Sequence, residues 1–240
     1  EKVFYAVNYV LLFIPALLCL LPMVHIIAVS LSDSLHVASG RVSFWPKGWT
    51  LEPYRILTRG SNILNAFKNS VIITVCGTVF SMVCTIMAAY PLSRKSMYAR
   101  RFCTLAIVFT MLFGAGIIPT FLVMKALGLI NSYGAIWMAG LISAYNMLVM
   151  KTFFEGLPEE MEEAARIDGC GEWRLLLQII LPLSKPVLAA LTLFYGVSYW
   201  NQFMNVLIFI NETSKYNLTV LVQNMLRSQM LMQELNNINP

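Results

Sequence analysis

Five stretches of this chain contain no Asp, Glu, Lys or Arg: Val3–Ser32, Asn69–Ser93, Phe102–Met124, Ala126–Met150 and Pro186–Asn211. They run 30, 25, 23, 25 and 26 residues, and a helix needs about 20 to cross the hydrocarbon core of a bilayer. Ordinary soluble domains carry about a quarter charged residues; here 12% of 240 are charged and 58% are hydrophobic. Backbone polar groups in lipid must be satisfied within the segment or by barrel closure. No period-two alternation supports a barrel, so the expected fold is all-α and polytopic, with five spans. Val3–Ser32 reads as a span rather than a cleaved leader. It lacks a strongly basic leading segment, and its apolar run exceeds the about 7–15 residues of a leader.

The placement of charge then orients the chain. Arg94-Lys95-Ser96-Met97-Tyr98-Ala99-Arg100-Arg101 holds four basic residues, and Lys125–Ser132 holds one. Positive short loops stay cytoplasmic, which puts the N-terminus inside, Asp33–Lys68 outside, Lys151–Lys185 inside and the tail from Glu212 outside. The net charge of +5 is therefore a topology signal, with no compact basic patch for nucleic acid. Cys19, Cys76, Cys84, Cys103 and Cys170 show no metal spacing, and none lies in the two large outer segments where disulfides form. They are expected to pack.

The chain divides at this level into 1–68, a first span with an outer segment, and 69–240, which carries loops 151–185 inside and 211–240 outside. Pro15 and Pro22 fall within the first span, where lipid-embedded helices tolerate them. Thr50 is placed to cap a helix with Glu52 in its first turn. Trp45, Trp49 and Tyr54 suit the headgroup layer. Gly77, Ser81, Ala88, Ala89, Gly114 and Gly116 are small residues of the kind that let helices approach closely in lipid. Leu218–Leu231 can form an amphipathic helix too short to span.

One polar loop is built in more detail than a connection requires. Pro158 suits a first helical position, and Glu159, Glu160, Glu162 and Glu163 follow where the helix dipole favours acids. Glu162 precedes Arg166 by four residues, the better order for an ion pair, whereas Glu163 has no such partner. Ala164 and Ala165 offer little bulk to an approaching surface. Gly169 is positioned as a left-handed helix stop. A second segment, Glu172–Leu181, leads through Pro182 and Pro186 into the last span.

The spacing here is Glu163-Ala164-Ala165, three residues, Gly169, nine residues, Ile179, one residue, Leu181-Pro182. It resembles the signature cytoplasmic loop of ABC-importer permease subunits at every defining position. Ile118-Pro119, Leu127-Gly128-Leu129, Leu157-Pro158, Ala165-Arg166-Ile167-Asp168-Gly169, Pro182-Leu183-Ser184-Lys185-Pro186 and Trp200-Asn201 are similar to the carbohydrate-uptake branch. The likeness is to the second permease of maltose-type (type I) and related oligosaccharide systems, from about Tyr9 onward. The resemblance implies a type I importer transmembrane domain, with a sixth helix expected after Pro240, where this sequence stops.

It also implies a non-catalytic subunit in a prokaryotic cell membrane that works with a second permease, two ATPase subunits and an extracytoplasmic sugar-binding protein. ATP and Mg would be bound by the ATPases; no cofactor is expected in this chain, which lacks a GxxxxGK[ST] loop. The ATPase-coupling residues would be Glu163, Ala164, Ala165, Asp168 and Gly169. The cargo would be a sugar, with oligosaccharides from plant or microbial polysaccharide the expected class.

Two further assignments stay open at this level. Tyr195, Tyr199, Trp200, Asn201 and Asn205 gather aromatics and amides suited to sugar rings and hydroxyls, or else serve as interfacial anchors and helix bridges. Asn224 and Arg227 lie in the outer tail that would meet the binding protein, or else in a solvated loop. The alternative function is an ion-coupled secondary transporter or channel subunit. Such proteins place ionisable groups within their spans, and here the spans hold no acid or base other than His25.

Overall fold

The computed structural model describes residues 2–60 and 62–238, and the chain forms two units, Glu1–Ile63 and Leu64–Pro240. No strand occurs among the described residues. In the first unit α1 (Lys2–Ser30) continues unbroken through Pro15 and Pro22. The short α2 (Ser34–Ala38) and α3 (Glu52–Gly60) follow. Thr50 Oγ1 accepts from Glu52 N at 3.1 Å, the capping expected of it. Tyr54 OH donates to Ser30 Oγ at 2.8 Å, tying α3 to the end of α1.

The second unit is organised around α4 (Ile63–Ser93). Ile73, Gly77, Ser81, Thr85 and Ala89 recur every fourth residue and are buried. Val75, Val79, Val83 and Met87 recur at the same interval on the opposite face and are exposed. Small and hydroxylated side chains turn inward and large apolar ones outward, the arrangement that lipid favours. Facing α4 are α7 (Tyr133–Ala139), α8 (Ala144–Glu155) and α12 (Lys185–Trp200). They supply Ile136, Met147, Met150, Leu191 and Tyr199 to one core with Ile73.

Three of the expected spans differ from straight helices. The third is divided into α5 (Arg100–Leu112) and α6 (Ile117–Ala126), which meet at 115°. Gly116 explains the break, since its φ of +81° with ψ of −179° is open essentially to glycine alone. Gly114 and Gly116 are not close-packing positions within this subunit, contrary to expectation, because a Cβ at either would meet nothing within 4 Å among the described residues. The fourth span is α7 and α8 at 54°, broken at Gly140–Ser143. Ser132 and Ser143 cap its two halves, accepting from Gly134 N and Asn146 N. The fifth begins in α10 (Glu172–Leu175), passes through a π turn at Leu176–Ile180 and a further turn, α11 (Leu181–Leu183), and bends 83° into α12. Pro182 lacks the N–H an α-helix needs there, and buried Ser184 donates its hydroxyl to Ile180 O at 2.7 Å across the bend. Among the described residues two helices are long and apolar enough to span alone, and up to five spans result when each bent pair crosses as one.

After α12 the chain forms α13 (Met204–Phe209), a loop and α14 (Leu218–Ile238). That last helix is longer than the Leu218–Leu231 expectation. The loop before it is pinned by amides. Asn131, at φ +63°, accepts through Oδ1 from Asn211 N at 3.3 Å and Glu212 N at 3.2 Å. Asn69 Nδ2 donates to Ser214 O at 2.8 Å and Tyr216 O at 2.9 Å. Lys215, 2.8 Å from Glu212, holds that carboxyl below its ordinary range. Asn131→Ala is expected to cost about 1–3 kcal/mol, combining the left-handed penalty with lost hydrogen bonds. Asn131→Gly should recover only the backbone part, and thermal unfolding in detergent would separate the two.

Candidate functional site

The polar loop forms α9 (Glu159–Ile167), with Pro158 just outside the helix at the N-cap rather than at its first position. Gly169, at φ +76°, terminates it. Gly169 N donates to Arg166 O at 3.0 Å and Cys170 N to Ala165 O at 2.9 Å, the paired bonds of a Schellman stop. Nothing lies within 4 Å of where a side chain at Gly169 would begin. The end of this helix is thus open to an approaching surface.

The two faces of α9 differ in kind. Glu160, Glu163, Ala164 and Asp168 are exposed, and Ile167 is 85% exposed. Glu163 has no ion pair among the described residues, as its spacing led one to expect. Ala165 does not share that outer face: it is 7% exposed and packed in the core with Leu175. Its small side chain lets α9 lie close to its own subunit, while Ala164 presents the small surface outward.

The expected Glu162–Arg166 pair does not form. Glu162 turns inward and accepts from the Arg94 guanidinium, and Arg166 instead reaches Glu172 at 2.5 Å. Glu172 also accepts from Tyr90 OH at 2.9 Å, and the Arg94 guanidinium lies 4.5 Å over the Tyr90 ring. Lys95 pairs with Glu159 and holds that carboxyl below its ordinary range. Their contact therefore stays charged at neutral pH and opens only when pH falls through the lowered value. Arg100 and Lys151 share Glu155. A cavity of about 570 Å³ lies among these groups, walled also by Ser93, Ser96, Phe154 and Leu157, and the exposed Glu163 stands at its border.

Sequence reasoning had read Arg94, Lys95 and Arg100 only as an orientation signal. Their matching acids were visible: the basic run at 94–101 faces an acidic run at 155–163. What sequence lacked was the pairing, since 55 to 68 residues separate the partners.

The aromatic and amide cluster separates into two groups. Tyr195 and Tyr199 are buried, and their hydroxyls are bonded within the subunit, to Thr85 Oγ1 at 2.7 Å and Ser81 Oγ at 2.9 Å. Tyr195 OH also accepts from Ser143 N at 3.0 Å. Both rings border a cavity of about 490 Å³ at the α7–α8 break, with Tyr145, Asn146, Phe194 and Gln202. Trp200 ends α12 and stacks edge-on against Phe67. Asn201 caps that helix, donating to Val197 O at 3.0 Å, and Asn205 falls beyond it in α13. Asn224 and Arg227 are exposed on α14.

Buried hydroxyls on the inward face of α4, bent spans and a polar helix tied to their ends are features of a membrane transport subunit. Residues 81–235 match the family of binding-protein-dependent transport system inner membrane components, and the chain belongs to that family. It is a non-catalytic ABC transporter permease with the type I importer fold. It is 39% identical over 223 residues to the polygalacturonan/rhamnogalacturonan transport system permease protein YtcP of Bacillus subtilis (strain 168), covering 93% of this chain and 78% of that one. It is 30% identical over 227 residues to the diacetylchitobiose uptake system permease protein NgcG of Streptomyces coelicolor, covering 91% and 74%. A chain of a crystal structure of a bacterial ABC transporter involved in import of the acidic polysaccharide alginate superposes with a TM-score of 0.87. That chain is 33% identical, with 93% of this chain and 80% of that one covered.

Proposed function

We propose that this chain is a permease of an ATP-driven sugar importer, with oligosaccharides as cargo, and that α9 is its coupling helix. The observation that carries this reading is the two-sidedness of α9. Its inner face is fixed by ion pairs and packing, while Glu163, Ala164 and the Gly169 stop remain open together. An unpaired acid on a rigid mount, beside the smallest side chains, suits a basic, closely fitting cleft on a moving partner. Asp168 closes the same face. The basic run at 94–101 supports a cytoplasmic position for this face and for the N-terminus.

In operation, ATPase subunits holding ATP and Mg would close and push α9, and the spans it is fixed to would turn the path outward. A second permease would complete that path. The cavity beside Tyr145, Asn146 and Gln202, with Trp200 at the end of α12 and Asn201 and Asn205 beyond it, would be this subunit's share of it. Tyr195 and Tyr199 border that cavity with their rings while bridging to α4 with their hydroxyls. Asn224 and Arg227 face the side where a binding protein would dock. The relatives' names favour oligosaccharides from plant or microbial polysaccharide as cargo. Spans free of acidic and basic residues disfavour ion coupling.

Purification from native membranes in mild detergent is expected to bring down an ATPase and a second permease. Vesicles of that complex with its binding protein are expected to accumulate digalacturonate or diacetylchitobiose on ATP addition. Uptake abolished by a proton-gradient uncoupler and indifferent to ATP would overturn the importer reading.

A further inference from the structure

We infer that Arg94 and Glu162 form a latch making α4 a second lever of the coupling helix, alongside the α10–α12 segment that follows α9 in sequence. This rests on the assignment of α9 above. The latch grips both ends of α9. Near its start Glu159 and Glu162 meet Lys95 and Arg94, which directly follow α4. Near its end Arg166 reaches Glu172, whose other oxygen accepts from Tyr90 in the last turn of α4. The Arg94–Glu162 pair is well shielded, with side chains 17% and 11% exposed, so water and salt screen it less than a surface pair. Arg94 is further held over the Tyr90 ring.

What α4 can do with that grip follows from its form. Among the described residues it is the one span of the second unit made of a single unbroken helix. Its 31 residues extend about 46 Å at 1.5 Å per residue. Midway it is bonded to α12 through Ser81–Tyr199 and Thr85–Tyr195. At its far end Asn69 and Ser70 hold the loop leading to α14, Ser70 Oγ accepting from Leu218 N at 2.8 Å. A push on α9 therefore reaches the opposite end of the subunit through one stiff rod. The sequential route meets the π turn and the 83° bend before it enters α12. Arg94, Lys95 and Tyr90 are positioning residues, acting through α9 without contacting cargo or ATP.

The test uses the co-purified complex in vesicles with digalacturonate and diacetylchitobiose as probes, measuring sugar imported per ATP hydrolysed. Arg94→Glu and Glu162→Arg are each expected to lower that ratio roughly tenfold, the scale of one charge-assisted hydrogen bond, while ATPase subunits still co-purify. The double exchange should restore most of it, and Arg94→Lys should retain part. The exposed Lys95→Glu and Glu159→Lys pair should lose less, about two- to threefold, and be rescued together. It gives a reading even where an Arg94 variant fails to insert. Normal ratios in the single variants, or a loss that the charge exchanges do not restore, would overturn the latch. A wild-type complex without ATPase or uptake would instead strike at the importer assignment.

Discussion

Replacing Gly169 with valine is expected to reduce ATP-driven uptake at least about tenfold while leaving the subunit folded and in the membrane. Two physical effects act at the same place. A left-handed conformation costs an L-residue about 1–2 kcal/mol, and a β-branched one more, so the Schellman stop at φ +76° would unwind. A Cβ at this position would meet nothing within 4 Å among the described residues, so no clash at the branch point explains a loss. It would instead occupy space left for the docking partner. Asparagine tolerates the left-handed region, so Gly169→Asn keeps the stop and adds modest bulk; uptake should stay within about threefold of wild type. Glu163→Lys, which leaves the fold untouched because Glu163 is exposed, should match valine in effect by reversing the charge presented to the partner. Vesicle uptake and ATP hydrolysis, measured for all three variants, check the series. Wild-type transport by both Gly169→Val and Glu163→Lys would remove α9 as the docking element.

Much of this site was legible in sequence, because its decisive features are local. A proline entry, an acidic first turn, paired alanines and a glycine stop act over a few residues of backbone, and the Gly169 conformation emerged as that pattern predicts. Long-range features were less accessible. Glu162 sits at ideal helical spacing from Arg166, yet a shielded guanidinium 68 residues away in sequence outcompeted an exposed neighbour. Ala164 and Ala165 looked alike, but helical geometry sends adjacent residues to faces about 100° apart, so only one can face the partner. Windows free of charge located the membrane segments and gave no sign of their bends. Hydropathy reports solvent, whereas the 115° turn at Gly116 depends on a single φ. Of Gly77, Gly114 and Gly116, which look alike in sequence, only Gly77 makes a close contact among the described residues.

That contact carries the other large effect. Gly77→Val is expected to prevent stable assembly of the subunit, seen as loss of the folded protein from detergent extracts. A Cβ at Gly77 would lie 2.9 Å from the Tyr199 ring, closer than atoms pack. The ring is held against α4, being 2% exposed and fixed by its hydroxyl to Ser81 Oγ at 2.9 Å and Trp137 O at 3.3 Å. Overpacking a core costs about 1–3 kcal/mol even where neighbours yield, and here either the ring must break those bonds and move into the cavity it borders or α4 and α12 must separate. Tyr199→Ala alone should lower thermal stability by about 3–5 kcal/mol through the cavity it leaves, and Tyr199→Phe by about 1–2 through the lost hydrogen bonds to Ser81 Oγ and Trp137 O. Combining Gly77→Val with Tyr199→Ala should recover part of the folded protein, because the added methyls fill space the ring vacated. This cycle also decides what Tyr199 is for. A helix-bridging ring predicts that uptake per folded molecule in Tyr199→Phe stays near wild type for both sugars. A ring that selects cargo predicts that the preference between digalacturonate and diacetylchitobiose shifts while stability holds.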